Sequence, residues 1–80
     1  MNSQNFLEML HCNEEFVFKY NGNSYEIVYD NLGKFREVML CLYLLSSETL
    51  IGVYNDQEDF LNNCILDGEK LSNITDKIIV

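Results

Sequence analysis

Between Glu14 and Asp30 the chain alternates twice and turns once. Phe16, Phe18 and Tyr20 alternate with Val17 and Lys19, and Tyr25, Ile27 and Tyr29 alternate with Glu26, Val28 and Asp30. Side chains leave a strand on opposite faces with period two, so each run carries an aromatic row on one face. Asn21-Gly22-Asn23 lies between the runs. Asn-Gly tolerates the positive φ angles of a type I′ turn, whose twist suits a tight hairpin. A loop at Asn21-Gly22 sets Phe18 opposite Tyr25 and Phe16 opposite Ile27. A loop at Gly22-Asn23 instead sets Tyr20 opposite Tyr25 and Phe18 opposite Ile27. The slip between these registers is two residues, so both keep the rows on the same face. A two-stranded hairpin alone is only marginally stable in water. The rest of the chain must supply further strands and a cover.

Eighty residues make a single domain, 1–80, with a modest core. A hydrophobic content of 48% is too high for a disordered chain. Thirteen acidic residues against five basic ones give a net charge of −8. Phosphate contacts need clustered Lys and Arg, so this charge argues against a nucleic-acid partner. It equally disfavours an anionic membrane surface, and its plain consequence is solubility. Lys34 and Arg36 form the one local basic pair.

Cys12, Cys41 and Cys64 are widely spaced and odd in number, which is not the pattern of a disulfide framework. Free, largely buried thiols in a reducing cytoplasm are expected. No basic, apolar leader follows Met1, so no secretory signal is expected and the protein is placed in the cytoplasm. Without that signal the Asn73-Ile74-Thr75 sequon carries no weight. The longest apolar run, Val38 to Leu45, is too short to span a bilayer.

In chain order, Ser3 to His11 reads as a short helix, with Ser3 as N-cap, Phe6, Leu7 and Leu10 as its apolar stripe and Asn13 closing it. After the hairpin, Asp30 to Lys34 is a turn rich in residues that accept left-handed geometry. Phe35 to Leu45 reads as a third strand and Thr49 to Tyr54 as a fourth, joined by Ser46-Ser47-Glu48. Gly52 inside the fourth marks a bulge or a close backbone approach. Met and Leu also suit helices, and the position after a hairpin decides for strand. Val38, Leu40, Leu42 and Leu44 then point one way, and Met39, Cys41, Tyr43 and Leu45 the other. A strand apolar on both sides belongs in the middle of a covered sheet. Asp56 and Asp59 form a capping-box-like pair opening a helix that runs to about Cys64, with Phe60, Leu61 and Cys64 as its stripe. Asp67-Gly68 is a turn. Leu71, Ile74 and Ile78 suggest a last helical turn or two before a short tail, strand or helix, at Ile78-Ile79-Val80.

At the hairpin and at Ile65-Leu66-Asp67-Gly68-Glu69-Lys70-Leu71-Ser72-Asn73-Ile74, the chain resembles a set of small uncharacterised α+β proteins of Gram-positive bacteria, a domain of unknown function. In these an N-terminal helix leads into a tyrosine-rich Asn-Gly hairpin. A helix with a Phe-Leu pair follows, and then an Asp-Gly-x-x-Leu-x-x-Ile segment. The resemblance implies the fold and carries no functional residues over.

The chemistry-bearing residues do not assemble into a reactive constellation. His11 and Cys12 are adjacent, about a hundred degrees apart around a helix, so the imidazole does not readily serve that thiol. Zinc needs about four Cys or His ligands at recognisable spacing, and the four such residues here are scattered. Asp56, Glu58 and Asp59 lack the glycine and distal Glu of a calcium loop, and capping explains them. Glu14 and Glu15, neighbours on a strand, point to opposite faces and cannot pair as acid and base. No phosphate loop, dinucleotide fingerprint or nucleophile elbow is present.

The expectation is an α+β fold: an N-terminal helix, a four-stranded antiparallel meander, then a C-terminal helix and short tail, with the helices packed on one sheet face. Two or three short helices cover one face of such a sheet. The leftover row of the third strand, Met39, Cys41 and Tyr43 or its alternate, would then form an exposed apolar patch of the kind that marks interaction sites. The expected function is non-catalytic protein interaction, with another protein or with a second copy as homodimer. No enzyme activity, cofactor, metal, nucleic acid or membrane is implied. Two further readings are a small-ligand binder with a Tyr-lined pocket and an acidic mimic that blocks a nucleic-acid-binding partner. The first requires a cavity and the second requires acidic residues gathered on one surface.

Overall fold

The structure, a computed structural model, describes residues 3–80, with side chains from Asn5 onward. The hairpin pairs β1 (Phe16–Tyr20) with β2 (Asn23–Asp30), with Phe18 opposite Tyr25 and Phe16 opposite Ile27. Of the two registers this is the one with Asn21-Gly22 at the turn. Both residues have positive φ, 52° and 83°, as a type I′ turn requires. β2 pairs with β3 (Met39–Leu44), and β3 with β4 (Thr49–Tyr54), giving one antiparallel sheet in the order β1-β2-β3-β4. Of the two features expected at Gly52, a bulge or a close backbone approach, the bulge is present. The β3–β4 register shifts where Leu42 faces Gly52 and Tyr43 faces Leu50, leaving Ile51 as the extra residue. A Cβ on Gly52 would lie 2.5 Å from the Tyr54 hydroxyl oxygen, so the glycine makes room for that ring.

The third strand is shorter than expected. Phe35 to Val38 belong to a loop, and Val38 is exposed outside the ladder instead of continuing the Leu40 row. Polar closure of the loop accounts for this. The Glu37 carboxylate accepts the Phe35 N–H at 2.8 Å, and the Gly33 and Arg36 N–H groups donate to the Glu37 and Gly33 carbonyls. Arg36 takes a left-handed φ of 64°, which ends strand geometry there.

Helix α1 (Ser3–His11) has the expected span, and the capping role expected of Ser3 rests on a side chain outside those described. Asn13 closes it with φ 56°. Phe6 and Leu10 are fully buried, and the Phe6 ring meets Phe16 and Phe18 edge-on at 5.9 and 5.2 Å. Helix α2 (Gln57–Asn63) is opened by Asp56, whose Oδ1 accepts the Asp59 N–H at 2.8 Å, while the Asp59 carboxylate accepts the Asn55 N–H. Its Phe60 ring lies 5.2 Å from Tyr54. Asp67-Gly68 is indeed a turn, but it closes a two-rung hairpin of β5 (Ile65–Leu66) and β6 (Glu69–Lys70) that sequence spacing did not suggest. Leu71 opens the first of two 3-10 turns, Ile74 lies between them and Ile78 follows the second, all three buried, and the tail ends strand-like, with Ile79 exchanging backbone hydrogen bonds with Lys19 on the β1 edge.

One core joins these parts: the Phe16, Phe18 and Tyr20 row, Tyr25 and Ile27, Leu40 and Leu42, and the buried residues of both helices and the tail. The radius of gyration is 11.9 Å. A compact domain of this length is expected at about 11.6 Å.

Candidate functional site: a bare sheet face and an acid-rimmed cleft

Strand alternation gives the sheet a second face. Across it Val17, Glu26, Tyr43 and Leu50 lie in one cross-strand line, and Val28, Cys41 and Val53 in the next. Met39 follows opposite Asp30. Of the row singled out from sequence, Cys41 is fully buried by its neighbours and Met39 and Tyr43 are half-buried. The most open apolar side chains around them are Val17 and Leu50, each 44% exposed, Ile51 at 40% and Val53 at 39%. Lys19, Glu26 and Asp30 are the charged groups on this side of the strands, one basic and two acidic. Burial pushes the Cys41 thiol upward, with the Asp30 charge adding to it, so this thiol stays protonated at neutral pH.

A cleft of about 570 Å³ opens where the end of α1 meets the start of α2. Leu40, Val38 and the Tyr29 ring line its apolar side, and His11, Asn13, Asn55, Asp56, Gln57 and Glu58 line the rest. Gln57 ties its walls together: Nε2 donates to the Leu10 carbonyl at 2.5 Å and to the Asn13 side-chain oxygen at 2.6 Å. The Tyr29 hydroxyl is shielded from solvent and no hydrogen bond closes on it. Burial raises this phenol, and the nearby Gln57 amide pulls weakly the other way. Tyr29 is the one tyrosine of the lining, since Tyr20 and Tyr25 are buried in the core.

The remaining candidates separate in space. His11 lines the cleft, which neither Cys41 nor Cys64 reaches. Cys64 is buried in the core beside Tyr54, and burial pushes both groups upward. Cys12 is exposed, against the expectation of largely buried thiols, because the helix ends before it can be covered. Glu14 and Glu15 precede β1 and are both exposed. Among the described residues no group of three His, Cys, Asp or Glu side chains is placed to hold a metal ion. No described helix is long and apolar enough to cross a membrane.

Sequence reasoning placed the turn at Asp30 to Lys34 but missed that the loop runs on to Val38. Leu32 is 50%, Phe35 84% and Val38 56% exposed, with Lys34 Nζ 5.9 Å from the centre of the Phe35 ring. The signal was present as Phe35 flanked by the only basic pair. Comparison with known protein families, with curated proteins and with solved structures finds no match for this chain.

Proposed function

We propose that the protein is a non-catalytic interaction module that self-associates by packing the second face of its sheet against the same face of another copy. The observation that carries this is the apolar surface of Val17, Val28, Met39, Tyr43, Leu50 and Val53, all of which lie outside the core that the helices join. Its complement supports the same reading: α1 reaches Phe16 and Phe18, and α2 reaches Tyr54, all from the aromatic side.

Charge permits a second copy despite the total of −8. Lys19 offsets Glu26 within the face, and Asp30 at its end, opposite Met39, leaves an acidic excess that salt screens, so the contact tightens as ionic strength rises. Size sets the strength. Four strands about 4.8 Å apart and about 20 Å long give a footprint of roughly 400 Å² per copy, so about 800 Å² in total, below the roughly 1,000 Å² that a stable specific interface clears. The dimer is therefore weak and reversible.

Sedimentation velocity over a concentration series tests the proposal. The wild-type chain should associate through this face. Val53→Lys, which places a charge in its apolar surface on the edge strand β4, should remove that contact without unfolding the domain. Equal association of wild type and Val53→Lys would refute it.

A further inference from the structure

We propose a second, separate contact between copies: the loop from Leu32 to Val38 of each copy docks in the cleft between α1 and α2 of the other. The loop is built to present its side chains. The Glu37 carboxylate holds the Phe35 N–H at 2.8 Å, the Gly33 and Glu37 backbones close on each other, and Arg36 is held at a φ of 64°. The result is a phenyl ring 84% exposed, flanked by Lys34 and Arg36. An ordered loop that keeps a large apolar ring in water, in a left-handed conformation an arginine rarely adopts, has the features of a docking element.

The occupant follows from charge. In a chain of net charge −8 this loop gathers two of the five basic residues against one acidic residue, Glu37, whose carboxylate is turned inward onto the Phe35 N–H. The cleft is their complement, with Asp56 and Glu58 on its rim and Leu40, Val38 and the Tyr29 ring beneath. Its volume, about 570 Å³, lies in the range of pockets that enclose a small ligand, enough for a phenyl ring and a guanidinium together. Phe35 does not line the cleft of its own chain, although Val38 at the loop's end does. Knob and hole are thus neighbours on one surface. A two-fold axis between them lets each loop enter the partner's cleft at the same time, as an isologous contact requires. This contact lies at one end of the sheet and does not depend on the face-to-face packing proposed above. With both formed, each copy has two neighbours and association runs past the dimer.

The test uses the full chain carrying Val53→Lys, so that only the loop contact remains. Sedimentation velocity should show a dimer. Adding Phe35→Ser, or Arg36→Asp with an aspartate that tolerates the left-handed region, should weaken it roughly tenfold or more. Adding Glu58→Lys to the Arg36→Asp variant should restore it, because the exchanged charges again face each other. All three sites are exposed, and one-dimensional proton spectra check folding. A Val53→Lys protein that is monomeric throughout overturns this contact while leaving the sheet-face proposal standing. A dimer unmoved by Phe35→Ser, or no restoration by Glu58→Lys, also overturns it. So does sedimentation of the Val53→Lys protein with vesicles of equal parts phosphatidylglycerol and phosphatidylcholine, lost on Phe35→Ser, without any dimer. That result would make the loop a membrane anchor.

Discussion

Replacing Phe6 with alanine probes how firmly α1 is joined to the sheet. Phe6 is fully buried and touches Phe16 and Phe18 edge-on. Truncating a buried phenylalanine to alanine costs about 3–5 kcal/mol, because lost transfer energy and the remaining cavity add. Each edge-on ring pair is worth about 0.5–1.5 kcal/mol beyond area, so the upper part of that range applies here, near 4 kcal/mol. A domain of this length has a total stability of about 4–12 kcal/mol. Phe6→Ala therefore removes a large share of the margin. Phe6→Leu keeps most of the volume and loses the ring geometry, at a cost of about 1–2 kcal/mol. Urea unfolding followed by circular dichroism measures both, and an unchanged slope keeps the comparison two-state. A loss below about 1.5 kcal/mol for Phe6→Ala would show that α1 lies outside the cooperative unit. The aromatic side of the sheet would then not be the side that the helices close.

Three further outcomes follow from particular contacts. Gly52→Ala should cost about 1–3 kcal/mol by chemical denaturation, because its Cβ overlaps the Tyr54 hydroxyl and pushes that ring off Phe60. Gln57→Ala should cost about 1–2 kcal/mol, since it leaves the Leu10 carbonyl and the Asn13 side chain without their shared donor; faster amide exchange at the end of α1 is the local readout. Stability should fall at alkaline pH. Burial raises the folded pKa of Tyr25, Tyr29, Tyr54, Cys41 and Cys64, so above the ordinary thiol and phenol values the unfolded chain has lost protons that the folded chain keeps. Fewer protons on the unfolded state make stability decline as pH rises, while below those values this contribution is fully present. Thermal melts from pH 8 to 11 that do not fall would contradict it.

The parts legible in the sequence were those whose signals are local. Asn21-Gly22 and two period-two runs specify a hairpin, and the positive φ of both turn residues selects its register. Asp56 and Asp59 announce the start of α2, and Gly52 its bulge, because caps and bulges are made by residues a few positions apart. The two-sided apolar composition of β3 already implied that the sheet has a second apolar face. Other features depended on polar closure or on distant segments. Phe35 and Val38 look like strand residues, and the Glu37 carboxylate on the Phe35 N–H, the Gly33–Glu37 backbone closure and the left-handed Arg36 together make them a loop. The spacing of Leu71, Ile74 and Ile78 suits a helix and 3-10 turns alike. The cleft draws its walls from His11, Tyr29 and Gln57, which approach only once α1, the sheet and α2 are assembled, so no window of sequence contains it.

The most direct test of the sheet-face contact is an isotope-filtered nuclear Overhauser experiment on an equal mixture of labelled and unlabelled protein. Face-to-face packing gives contacts between copies that join Val28, Tyr43 and Val53 to those same residues. Contacts between copies that avoid the three, or a solution that stays monomeric at every concentration and shows none, would contradict it.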